Sequence, residues 1–142
     1  MKKINIKYFT DIDHIKKFAK GDLIDLRAAE DVELKKGEFK LIPLGIAMQL
    51  PKGYMAKVYP RSSTYKNFKI IQANHTGIID ESYRGDADQW FYPAIALEDT
   101  VIHKNDRICQ FEVCKKPKKF KFIEYAFFNT ANRCGIGSTG VR

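Results

Sequence analysis

The sequence predicts an all-β domain, a β-sandwich, jelly roll or barrel, and three observations lead there. Short runs of β-branched and aromatic residues alternate with polar ones. Glycine and proline punctuate those runs at close intervals. Helical periodicity appears over one short stretch only.

Taken in order, "INIKYF" alternates, with Ile4, Ile6 and Tyr8 on one face. The spacing of Ile12, Ile15 and Phe18 then predicts a short helix over Asp11–Ala19, with Thr10 as its cap. "VELKKGEFKLIPLGIAMQLPKGYMAKVYP" reads as strand, turn, strand, strand, turn, strand, with turns at Lys35–Gly37, Pro43–Gly45 and Pro51–Gly53. "WFYPAIAL", "DRICQFEV" and "KFKFIEY" continue the series. The last stretch, "NTANRCGIGSTGVR", loses the alternation and is small and Gly-rich. The chain therefore divides into a single β domain, 1–128, and a flexible C-terminal tail, 129–142.

At 142 residues the chain fits one domain, and a domain of that size buries roughly 70% of its unfolded surface. A hydrophobic content of 44% makes it globular rather than disordered. No apolar run approaches the roughly 20 residues of a membrane span. Polar residues break "MKKINIKYFTD" before a signal-peptide core forms, so the expected location is the cytoplasm. Cys109, Cys114 and Cys134 are odd in number and form no C-x-x-C pair, which argues against a disulfide framework or zinc site. His14, His75 and His103 are scattered and read as packing or surface. The net charge of +8 favours a polyanionic partner, although charge alone does not separate nucleic acid from a nucleotide. The run "KKPKKFK" beside its proline reads as a solvated loop.

Four polar islands interrupt the apolar pattern. In "DLIDLRA", Asp25 sits in a predicted strand and must find partners there, as a hydrogen-bond hub or in a cation site. In "YPRSSTY", Pro60 ends a strand and Arg61, Ser62 and Ser63 present a guanidinium and two hydroxyls suited to phosphate. In "IIQANHTGIIDESYRGDADQWFYPAIAL", a short strand between Gly77 and the bend at Glu81–Gly85 predicts a hairpin with Gln89–Leu97. Asp80 would stand at its mouth and Tyr83 along one side. In the tail, "GSTG" behind Arg133 offers consecutive amides and two hydroxyls, the makings of an anion nest, without the Walker pattern of a P-loop.

In that order, "DLIDLRA", "PRSS", "GIIDESYRGD", "DRICQFEV" and "GIGSTG" resemble the five motifs of the trimeric deoxyuridine triphosphatases (dUTPases), over about Asp22 to Gly140. The likeness is greatest to the forms of Gram-positive bacteria and their phages. It implies a jelly-roll-like β fold of the dUTPase-like β-clip type, and a homotrimer whose active sites are each built from three chains. It also implies dUTP diphosphatase activity, yielding dUMP and pyrophosphate. The metal would be Mg²⁺, carried by the triphosphate and waters rather than by protein ligands.

By position, Asp80 aligns with the carboxylate that orients the attacking water. Tyr83 aligns with the aromatic under deoxyribose, while Asn74 and the backbone of Gly77, Ile78 and Ile79 align with the uracil-reading edge. Arg61, Ser62, Ser63 and Gln110 align with phosphate contacts, and Arg133, Ser138 and Thr139 with the lid over the outer phosphates of a neighbour's site. An aligned water and a base within reach are what hydrolysis requires, and cationic donors stabilise the departing pyrophosphate.

Three positions depart from the pattern. Leu23 stands where the first motif has glycine, Ser63 where the second often does, and Ile136 where the uracil-stacking aromatic stands; Trp90 is a candidate replacement for that stacking. The related dCTP deaminases need a glutamate on the return strand, and "ADQWFYPAIAL" has none. The competing reading is a binding protein on the same fold, with a protein partner of regulatory kind or a nucleic acid. The complete set of Asp80, Tyr83, Arg61 and Gln110 favours the enzyme.

Overall fold

The computed structural model describes residues 2–16, 22–137 and 140–141. Among these described residues, eleven strands and one short helix follow in order: β1 Asn5–Tyr8, β2 Ile24–Arg27, β3 Val32–Leu34, β4 Phe39–Pro43, β5 Ile46–Gln49, β6 Tyr54–Pro60, α1 Thr64–Phe68, β7 Ile70–Gln72, β8 Gly77–Ile79, β9 Phe91–Ala96, β10 Thr100–Ile102 and β11 Arg107–Lys115. All pairings are antiparallel. One sheet runs β2-β11-β6-β8 and a second β4-β9-β7, with the ribbons β1-β5 and β10-β3 beside them. The predicted all-β class is the observed one. Among the described residues, no helix is long and apolar enough to cross a membrane.

Alternation explains how the sheets close on a core. Along β9, Tyr92, Ala94 and Ala96 point inward while Phe91, Pro93 and Ile95 face out, the period-two pattern of a half-buried strand. Tyr92 joins Leu34, Ile42, Ile70, Ile102, Ile108 and Phe111 in one cluster. Trp90 lies in the same cluster, fully buried, with its ring edge-on to Phe111 at 5.4 Å. It is a core residue and does not replace the stacking aromatic at a binding surface.

The predicted helix at 11–19 is not formed over 11–16, and its remainder lies outside the described residues. The Asp13 N–H donates to Asn105 Oδ1 at 2.8 Å and the Ile15 N–H to Tyr8 Oη at 2.7 Å. The Ile15 N–H, which a helix would give to the Asp11 carbonyl, goes to a side chain instead. The observed helix, α1, stands instead behind the Arg-Ser-Ser turn and ends at Lys69 (φ 54°). "KFKFIEY" is not a strand either: its residues are exposed and pair with none of the described strands.

The expected hairpin between β8 and β9 is also absent. β8 pairs with β6, whereas β9 lies between β4 and β7 in the other sheet. The chain changes sheet at the 73–76 turn, braced by Gln72 Nε2 donating to Val58 O at 2.9 Å. It changes back near Trp90, whose N–H donates to Ile46 O at 2.8 Å and whose carbonyl accepts from Leu44 N–H at 2.9 Å.

Candidate active site

The first group of site residues gathers around Asp25, whose side chain is three-quarters covered. Asp25 Oδ1 receives Arg61 Nε at 3.0 Å and Oδ2 receives Arg107 Nη1 at 3.2 Å. Of the two roles open to this carboxylate, the structure displays the hub. Arg61 is held again by its backbone N–H donating to Thr64 Oγ1 at 2.7 Å, and by Nη1 donating to Arg107 O at 3.1 Å. The fully buried Thr64 hydroxyl in turn donates to Ile108 O at 2.8 Å, tying the turn to β11. Ser62 is exposed and Ser63 half-buried, and neither hydroxyl makes a bond among the described residues. Gln110 stands opposite Asp25 on one side and Tyr59 on the other, and its Nε2 donates to Pro60 O at 3.1 Å. Two arginines, two hydroxyls and an amide thus converge on one edge, the chemistry of an oxyanion site.

Arg107 and Thr64 are members of this group that sequence reasoning missed. Strict alternation along β11 would pair Arg107 and Gln110 with opposite faces. A register shift between Arg107 and Cys109 breaks the alternation and re-aims the arginine at Asp25. The signal in the sequence was Asp106-Arg107 shortly before the glutamine; its geometry was not legible.

The second group lies on β8 and the turns at its ends. Gly77 is buried against β6, and a Cβ there would stand 3.2 Å from Val58 Cβ, so glycine permits the close approach. Asn74 occupies the exposed turn before it, with His75 at φ 61°. Ile78 is exposed and Ile79 half-buried, so the pair anchors β8 by one side chain only. Asp80 follows at the strand end. Its Oδ1 accepts the Ser82 N–H at 2.8 Å, and the Tyr83 N–H donates to its carbonyl at 3.0 Å. The Ser82 backbone bond, with the Ser82 side chain and then the Lys116 charge adding to it, holds the Asp80 carboxyl below the usual carboxylate range. Asp80 is therefore ionised at neutral pH, exposed, and suited to orienting a water. Tyr83 Oη donates to Gln89 O at 2.7 Å, which fixes its ring beside the same turn.

Within one protomer these groups are far apart. Both flank β6, but Asp80 falls level with Met55, since Ala56 pairs with Ile79. Arg61 is six residues further along, roughly 20 Å at about 3.3 Å per residue. That exceeds the span from a sugar to the end of its triphosphate. A groove of about 650 Å³ beside Arg61 is lined by Tyr59, Ser62, Gln72, His75 and Thr76 but does not reach Asp80. Arg133 is described, forming no hydrogen bond or ion pair among the described residues, whereas Ser138 and Thr139 lie outside them. Among the described residues, no three His, Cys, Asp or Glu side chains converge as metal ligands.

Residues 15–141 match the protein family described as dUTPase. An SPbeta prophage-derived deoxyuridine 5′-triphosphate nucleotidohydrolase of Bacillus subtilis is 58% identical over 140 residues, covering 98% of this chain and 99% of its own. The deoxyuridine 5′-triphosphate nucleotidohydrolase of Streptomyces avermitilis is 35% identical over 118 residues, 82% of this chain and 67% of its own. In fold, the chain resembles the Staphylococcus bacteriophage 80alpha dUTPase with dUpNHpp (TM-score 0.75, 20% identity, 99% of this chain and 100% of that one). It also resembles the dUTPase of Streptococcus mutans (TM-score 0.68, 22% identity, 84% and 98%).

Proposed function

The chain belongs to the dUTPase family, and from that premise we propose that it hydrolyses dUTP to dUMP and pyrophosphate in the cytoplasm, at sites shared between subunits of a homotrimer. The observation that carries the reaction is the 58% identity running through nearly the whole of both chains. Asp80 orients the water that attacks the α-phosphate, Tyr83 packs under deoxyribose, and Asn74 with the backbone of Gly77 to Ile79 reads uracil. Cytosine would reverse the donor and acceptor at its exocyclic edge and leave those groups unpaired. Arg61, Ser62, Ser63 and Gln110 take the phosphates, and Arg133, Ser138 and Thr139 close over the outer two from another chain's tail. Mg²⁺ enters with the triphosphate as part of the substrate, where it offsets charge developing on pyrophosphate.

The separation of Asp80 from Arg61 along β6 supports a shared site, since one nucleotide can meet both only across a subunit boundary. The outward face of β4, β9 and β7 supports assembly too. Phe39, Leu41, Phe91 and Ile71 are exposed there side by side, an apolar patch for a neighbour to cover. The test is direct: the purified chain is given dUTP and Mg²⁺ and assayed for pyrophosphate. Release specific to dUTP over dCTP and UTP is expected, and none above background would favour a binding protein on this fold.

A further inference from the structure

We propose that Lys116 is a positioning residue for Asp80, fastening the carboxylate turn to the root of the C-terminal arm. The inference rests on the role given to Asp80 above. Lys116 is the first residue after β11. Its backbone N–H donates to Gly53 O at 2.9 Å, in the turn that precedes β6. The Gly53 N–H donates to Glu81 Oε1 at 2.6 Å, and the same oxygen lies 3.5 Å from Lys116 Nζ. Gly53, Glu81 and Lys116 thereby close a ring that joins three chain segments.

Asp80 completes the arrangement. One of its oxygens is engaged by Ser82, and the other, Oδ2, lies 3.8 Å from Lys116 Nζ. A single ammonium group therefore stands between two consecutive carboxylates, with Arg84 the further cation acting on Glu81. Without the ammonium, Asp80 and Glu81 repel, the turn keeps only the Glu81–Gly53 bond of this ring, and the Asp80 carboxylate is held less firmly. Gly53 adopts φ +84° with open space around its Cβ position, so the turn needs glycine for its backbone and not for room. Among the described residues, Lys116 is the one lysine of the run "KKPKKFK" with an ion pair, which sets it apart from the solvated stretch it opens.

The experiment uses the full chain with Lys116→Met and Lys116→Arg. With dUTP and Mg²⁺, the methionine variant is expected to lose about fivefold or more in kcat while KM stays within about twofold, and arginine to restore kcat. In the same proteins without substrate, the Asp80 carboxyl is followed by ¹³C NMR titration, and it should titrate at higher pH in the methionine variant and recover with arginine. A methionine variant with wild-type kcat and an unmoved Asp80 titration would overturn the proposal, as would an arginine variant no better than methionine. If the wild-type chain released no pyrophosphate, the activity reading would fall, and the Asp80 titration would still decide whether Lys116 governs that carboxylate.

Discussion

Arg61 reaches Asp25 across β11: its Nε lies 3.0 Å from Asp25 Oδ1, although β11 separates β2 from the strand that leads into Arg61. Arg107 approaches the other oxygen at 3.2 Å, so one carboxylate aims two guanidinium groups. Asp25→Ala would leave two like charges side by side without an anchor. Because Arg61 would contact phosphate in ground and transition states alike, the expected loss is mainly in binding. KM should rise by about tenfold, roughly 1.4 kcal/mol, with a smaller fall in kcat. Steady-state kinetics check this, and an unchanged KM would remove Asp25 from the phosphate site.

Asp80→Asn keeps the acceptor for the Ser82 N–H but removes the charge that aligns a water. Turnover should fall by more than about tenfold, over 1.4 kcal/mol, with dUTP binding retained. The pH dependence has a definite sign. Folding lowers the Asp80 pKa below 3.8, so the ionised, active form persists as pH falls through the ordinary carboxylate range. Its contribution to stability is likewise full above 3.8 and lost as pH drops through the lower folded value. An acid limb of kcat/KM, which reports the free enzyme, attributable to Asp80 at or above the usual carboxylate range would contradict this lowering.

The strands of this protein were legible because alternation is local, and so was the Asp80 turn, where Asp, Ser and Tyr bond one another within four residues. What was not legible depends on partners far away in sequence. The apolar spacing at Ile12 and Ile15 is helical, yet Tyr8 Oη takes the Ile15 N–H that a helix would need, and Asn105, 92 residues away, holds the Asp13 N–H. The sequence predicts that Ile78–Ile79 pairs with the next strand in the chain, but β6 is the partner and Gln72 braces the corner. Asp25 was legible as a buried carboxylate needing partners; that Arg107 was one of them depended on a bulge, which leaves no mark in composition.

If the site is shared, inactive chains should complement. Arg61→Ala and Asp80→Asn chains, unfolded together and refolded as mixed trimers, place an intact Asp80 opposite an intact Arg61 at a fraction of their sites. Each variant alone has none. Pyrophosphate release from the mixture should therefore exceed that from either parent by several-fold (about fivefold is readily resolved). Activity no greater than the sum of the parents would mean that both residues serve from the same chain, against their separation along β6.

The segment after β11 divides into two parts of different composition. From Phe120 to Phe128 it carries Phe122, Tyr125, Phe127 and Phe128 largely uncovered, with Phe122 at 93% exposure. So dense an aromatic run calls for a surface to lie on, and in the proposed trimer a neighbouring subunit would supply it. From Asn129 the side chains shrink, Gly137 and Gly140 take φ 82° and 72°, and open space surrounds both. Fixing such a segment is entropically costly unless ligand bonds compensate. Arg133 is exposed and uncommitted, available for a charge-assisted bond to phosphate. Ile136, fully exposed, can cover a base but cannot stack as a ring does, so closure should depend more on the triphosphate than on uracil. Truncation before Asn132 should then lower turnover on dUTP by at least about tenfold while light scattering still reports a trimer. Truncation before Lys116 should also disturb assembly, since it strips the aromatic run and the Gly53 contact together. Near-normal turnover from the shorter truncation would show that the tail closes over nothing.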